Sequence, residues 1–261
     1  MIEDGTFGPL NAYQAWGVVS AVLYVAALYL VARRAGVGVR DTLVVAAVAL
    51  LALYLGSRLF FELVEFPLMP GRMWVRVPPL LQRLPSPLGF TFLGGLALLA
   101  VLEAVLGLTP LVEPGPGRIL DVLAAPTALG FAASKAGCIL AGCCYGRPTD
   151  GWLHVTMPHL HTSTIEPTVP VRFLEMGVGA VLAALALWLL LRPPAGLRLR
   201  DGTIFAEFAL VASLARFASG FLRGDYEVAL GPLHAVQWGA LAFASIAGAS
   251  LVFLVATRER P

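Results

Sequence analysis

The chain has 261 residues, of which 58% belong to the apolar and aromatic set AVILMFWYC and 13% are charged, with a formal net charge of +2. So much apolar side chain exceeds what a soluble core of this length needs and excludes a water-soluble domain, while the small net charge argues against a nucleic-acid partner. Three cysteines do not make a disulfide framework in a chain this long.

The opening MIEDGTFGPL carries acids where a cleavable signal would carry bases, so the first apolar run is expected to stay in the membrane. Runs of about 20 apolar residues match the hydrocarbon core. They fall at Ala12–Ala32, Thr42–Val64, Leu88–Leu108, Ile119–Tyr145, Val171–Leu191, Gly202–Leu222 and Leu233–Ala256. The expectation is an all-α polytopic membrane protein with seven transmembrane helices in one domain, residues 1–261, with no internal repeat. Glu3 and Asp4 precede the first span, and Arg33, Arg34 and Arg40 follow it. That asymmetry predicts N-out, C-in. The proline-broken segment 65–87, with Arg72, Trp74, Arg76 and Arg83, suits an outer arm at the interface or a simple outer loop. Residues 146–170 form a second outer loop.

The stretch SKAGCILAGCCYGR, Ser134–Arg147, holds the only lysine, Lys135, and all three cysteines, Cys138, Cys143 and Cys144, at the end of an apolar run. An ionisable group there is expensive, which makes a functional site the default expectation; the plain alternative is a snorkelling lysine with cysteines packed as small apolar residues. The fourth run is long, and Gly142 offers a place for it to leave helical geometry before Cys143. Arg58, Arg216, Glu62, Glu103, Glu175 and Glu207 also lie within spans. Arg58 and Glu62 are one turn apart and pair locally, which a structural role explains. Glu175, Lys135 and Arg216 must find partners across the bundle. Arg216 and Arg223, two turns apart, are expected on one helical face as a phosphate cradle, because a guanidinium fork matches phosphate oxygens. His154, His159 and His161 with Cys143 and Cys144 match none of the usual zinc spacings, so no metal and no cofactor are expected.

These residues resemble a family, the bacterial prolipoprotein diacylglyceryl transferases. The resemblance centres on GRPTD at Gly146–Asp150. AYQAWGVV at Ala12–Val19 looks like the family's first span, LGSRLFFEL at Leu55–Leu63 resembles its segment with Arg58, and FLGGLA at Phe92–Ala97 resembles its glycine-rich third span with Gly94 and Gly95. PVRFLEM at Pro170–Met176 gives Glu175, SLARFASGFLRGD at Ser213–Asp225 gives Arg216 and Arg223, and PLHAVQWGAL at Pro232–Leu241 gives Gln237. The resemblance implies a multi-pass protein of the bacterial inner membrane that moves the diacylglyceryl group of phosphatidylglycerol to the lipobox cysteine thiol of a preprolipoprotein. It implies Lys135, Arg216 and Cys143 as catalytic positions. It implies Arg58, Gly94, Gly95, Cys138, Gly146, Arg147, Glu175, Arg223 and Gln237 as substrate-binding positions. The chain departs from the pattern in the proton-transfer positions: Thr91–Gly95 lacks the family's histidine, Lys135 stands for an arginine, Cys138 for an asparagine and Cys143 for a glutamate. Two other readings use the same residues: a phospholipid-dependent enzyme with another acceptor, using Cys143 or Cys144 as thiolate near Lys135, or a lipid-binding scaffold without turnover.

Overall fold

The computed structural model describes residues 6–7, 10–65, 91–157, 165–192, 199–224 and 229–257. The expected outer arm, beyond Glu65, lies outside the described residues, as do His159 and His161. Among the described residues the fold is all-helical, with three two-stranded hairpins at loop ends. The helices are α1 (Ala12–Arg34), α2 (Val39–Phe60, continued by a π-turn at Phe61–Glu65), α3 (Phe92–Leu106), α4 (Pro116–Ala141), α5 (Val171–Leu191), α6 (Thr203–Gly220) and α7 (Ala235–Ala256).

Six helical segments are long and apolar enough to cross a membrane; α3 is the shorter one. Its 15 residues rise about 22 Å, less than a hydrocarbon core of about 30 Å. The expected third span, Leu88–Leu108, is therefore cut back to a helix that begins after Thr91 and is capped by Gly107. The chain is a multi-pass membrane protein by these helices. Large apolar side chains such as Val22, Leu30, Leu43, Val181, Ile246 and Val252 are exposed along them, as a lipid-facing surface requires.

Two helices form the middle of the bundle. In α4 and in α6, 61% of the apolar window is buried, against 17% in α7. The main pairings are α2 with α3, α4 with α5, α6 with α7, and α1 with α4. Small residues set how closely they approach. A Cβ on Gly94 would lie 2.3 Å from the Phe60 Cβ, and one on Gly56 would lie 2.4 Å from the Gly94 carbonyl oxygen. Lipid gives no hydrophobic drive between helices, so such backbone proximity is a main source of cohesion. At the other end, Asp121 of α4 accepts the backbone N–H groups of Gly202 and Phe205, both at 2.9 Å. It caps the α6 N-terminus from a neighbouring helix and fixes α6 against α4.

The fourth run ends earlier than the apolar stretch to Tyr145. Helix α4 stops at Ala141 because Gly142 turns left-handed, with φ 68°, and donates its N–H to Ile139. Cys144 is also left-handed, with φ 60°. The chain thus folds back over the end of α4, and the following loop is held by backbone pairing. Arg147 N–H donates to Leu222, Gly224 N–H to Tyr145, and Val169 N–H to Arg147. Two short strands, Val155–Thr156 and Pro167–Thr168, close this loop as an antiparallel pair, Val155 opposite Thr168.

Candidate functional site

Four charged side chains from three parts of the chain meet at the end of α4. Lys135 Nζ lies 2.6 Å from Glu175 Oε2, Arg223 Nη1 lies 3.6 Å from the same oxygen, and Arg216 Nη1 lies 3.6 Å from Oε1. All four residues are buried. Ser219 donates its hydroxyl to Glu175 Oε1 at 2.8 Å and accepts from Arg216 Nη1 at 3.1 Å. The predicted partners across the bundle for Glu175, Lys135 and Arg216 are one another. Burying a charge is costly unless it is paired and hydrogen-bonded, and three cations share this one carboxylate.

The expected shared helical face of Arg216 and Arg223 does not exist. Helix α6 ends at Gly220, and Arg223 lies beyond it, bridged to Gly146. Arg223 reaches Glu175 through that bridge instead. Gly146 is buried against Val169, where a Cβ would lie 2.1 Å from the carbonyl oxygen. Its lack of a side chain is what lets the loop close on Arg223. Arg147, beside it, is exposed.

An apolar cavity of about 210 Å³ leads away from the charged cluster between α4, α5 and α6. Phe92, Phe131, Leu182 and Phe208 line it, and Glu175, Arg216 and Ser219 form its polar end. Phe131 joins the two zones. Its ring packs on Phe92 at 4.3 Å and lies 4.8 Å below the Lys135 ammonium, a contact that favours the cation.

The other predicted positions divide by what they touch. Arg58 Nη2 pairs with Glu62 at 2.6 Å, both buried, on the α2 end that packs against α3. Gly94 and Gly95 face α2, where a Cβ on Gly95 would meet Ser57 Oγ at 2.5 Å. Gln237 accepts the His234 N–H at 3.0 Å and donates to the Phe217 carbonyl at 3.2 Å. It caps α7 and ties it to α6. His154 is exposed and contacts the Gly151 carbonyl. Arg172, which the sequence did not single out as a site residue, is 1% exposed at the start of α5. Its Nη1 donates to the Cys138 carbonyl at 3.4 Å. The signal for it was in PVRFLEM: three residues before Glu175, it sits one turn earlier on the same helix.

The three cysteines converge. Cys138 is in the last turn of α4, and the left-handed turn at Gly142 brings Cys143 and Cys144 back to it, so that all three sulfurs lie within 4.8 Å of one another. All three are free thiols. Hydrogen bonds from Cys138 and Cys143, then the charges of Arg223 and Lys135, draw the Cys144 thiol well below its ordinary range against the effect of burial.

Residues 7–254 match the prolipoprotein diacylglyceryl transferase family. Over 117 residues the chain is 28% identical to the phosphatidylglycerol–prolipoprotein diacylglyceryl transferase of Clostridium tetani (strain Massachusetts / E88), a stretch covering 41% of this chain and 42% of that relative. Helical bundle, buried cation cluster and a match across nearly the whole length agree, and the chain belongs to the prolipoprotein diacylglyceryl transferase family.

Proposed function

We propose that this protein is a phosphatidylglycerol-dependent transferase of the bacterial inner membrane, oriented N-out and C-in, that moves a diacylglyceryl group to the thiol of a lipobox cysteine. The observation that carries the reading is the junction of an apolar cavity with three buried cations on one carboxylate. An amphiphile with a phosphate head and acyl tails has that polarity. Lys135, Arg216 and Arg223 hold the phosphate, and Glu175 with Ser219 keeps them aimed. Gly146 is the close contact that holds Arg223, with exposed Arg147 beside it and buried Cys138 on the last turn of α4 as further assigned substrate positions. Arg58, Gly94, Gly95 and Gln237 keep the helices around the donor in register.

In the reaction the acceptor sulfur forms a bond to the glyceryl carbon. The bond from that carbon to the phosphate oxygen breaks, and glycerol phosphate leaves with the electron pair. Positive charge aimed at the leaving phosphate stabilises the charge that develops there. The acceptor must first lose its proton, because the thiolate is the nucleophile.

The test uses the purified protein in phosphatidylglycerol micelles with a lipobox peptide, read by mass spectrometry. A diacylglyceryl adduct with released glycerol phosphate is the expected result. Glycerol phosphate without adduct assigns a different acceptor, or water. Bound lipid with neither product assigns a scaffold and overturns the transferase reading.

A further inference from the structure

The geometry points to Cys138, Cys143 and Cys144 as a three-thiolate site for a thiophilic divalent metal of the zinc class, with its fourth position open to the acceptor thiol. A zinc–thiolate bond of about 2.3 Å places ligand sulfurs about 3.8 Å apart in a tetrahedral site. The three sulfurs already lie within 4.8 Å of one another, so closing the set takes small side-chain rotations. The cluster is built by an unusual turn: Gly142 and Cys144 both adopt positive φ, and a non-glycine residue there is a sparsely populated conformation. Without that turn the vicinal pair would point away from Cys138.

The surroundings suit an anionic metal complex. Three thiolates around a divalent ion leave a net negative charge. The buried cations Lys135 and Arg223 meet on Glu175 at this end of α4, and the buried Arg172 donates to the Cys138 carbonyl. Arg172 Nη2 has no hydrogen-bond partner among the described residues, so this guanidinium has a donor left to satisfy beside the cluster. Soft thiolate ligands select zinc-like or cuprous ions over magnesium or calcium. Three protein ligands and one open position is the arrangement of catalytic rather than structural zinc.

The role in turnover rests on the transferase reading; the metal site itself does not. A thiol that coordinates such an ion is deprotonated outright. The acceptor thiol enters the open position and its proton passes to solvent. Its sulfur then forms the bond to the glyceryl carbon as the carbon–oxygen bond to phosphate breaks, and the neutral thioether leaves the metal. No oxidant or further reactant is needed. The site supplies the activation that Thr91–Gly95, without a histidine, does not.

The experiment reads the metal first and turnover second. Reduced, purified full-length protein is loaded with Zn(II), desalted and analysed for bound metal. The same protein loaded with Co(II) is read for thiolate-to-metal charge-transfer absorption. One ion per chain and that absorption are expected, with both falling to background in C138S, C143S and C144S while circular dichroism shows intact helices. C143S and C144S, which lie outside α4, keep the test valid if C138S fails to fold. No bound metal in the reduced protein, or metal retained in all three variants, overturns the site. A change in the Co(II) spectrum with a lipobox peptide, absent with its Cys-to-Ser analogue, supports the open position; identical spectra overturn it. Thioether formed at full rate by metal-stripped protein overturns the role in turnover and leaves the transferase reading standing. Metal and peptide thiol bound with no thioether formed sinks the transferase reading and leaves the metal site standing.

Discussion

Lys135 and Glu175 are joined across α4 and α5 by a 2.6 Å contact, and the only ammonium side chain in the sequence is thereby kept inside the bundle. A snorkelling lysine would lie along the helix surface with its head in the headgroups. Here the head is held by a carboxylate that Arg216, Arg223 and Ser219 also hold in place. One anion fixed among three cations is an arrangement that a second anion would complete, and the proposed donor is an anion whose lipid tails would lie in the apolar cavity.

Replacing Lys135 by methionine should lower kcat by about 10²–10³, the usual loss when one preorganised electrostatic partner is removed. Helix content should not change, since two arginines remain on Glu175. Lys135→Arg should recover part of the rate, because it restores charge with a different reach. Turnover of phosphatidylglycerol with a lipobox peptide checks both, and a methionine variant at the wild-type rate removes Lys135 from the site.

Glu175→Gln should destabilise the protein by about 3–5 kcal/mol, the cost of leaving buried charge without its partner. The three cations then depend more on bound lipid. Thermal unfolding in detergent should show a lower Tm for the variant and a larger rise on adding phosphatidylglycerol than wild type shows. Equal stabilisation by phosphatidylglycerol and phosphatidylcholine would contradict a phosphate-specific cluster.

The all-helical, multi-pass character was legible because apolar runs of membrane length leave few alternatives, and the Val171–Leu191 boundaries were read without error. The end of α4 was legible in Gly142, the residue that turns left-handed after Ala141. The limits of α3 were not, because apolarity continues past its 15 residues. Glu175 and Lys135 stood out as ionisable groups in apolar runs, but their pairing spans 40 residues and no sequence period encodes it. Arg223 was named from the SLARFASGFLRGD segment and from a helical face shared with Arg216, and the second ground fails because α6 has already ended. The three-sulfur cluster was missed as a unit because its spacing fits no short motif, and left-handed Cys144 has no sequence signal of its own.

Gly146→Ala should impair activity with little loss of helix. A Cβ there would lie 2.1 Å from the Val169 carbonyl oxygen, so the loop must move, and its bridge to Arg223 moves with it. Misplacing one charged group by about an ångström can cost on the order of 10²-fold in rate. Circular dichroism with the transferase assay separates this from unfolding; unchanged turnover would show that the bridge does not position Arg223.

Filling the cavity tests which end of the site holds the acyl chains. Ala212 lines it on α6, so Ala212→Phe puts a ring into a space of about 210 Å³ without touching Lys135 or the cysteines. If diacyl tails lie there, the variant should raise KM for phosphatidylglycerol, and a short-chain donor should suffer less than a long-chain one. The peptide KM should stay near wild type if, as proposed, the acceptor approaches from the cysteine side of the cluster. Overpacking itself costs about 1–3 kcal/mol, and that loss falls on every substrate alike. A uniform fall in kcat across all chain lengths would therefore move the acyl chains out of this cavity, while a KM that climbs with chain length would place them in it.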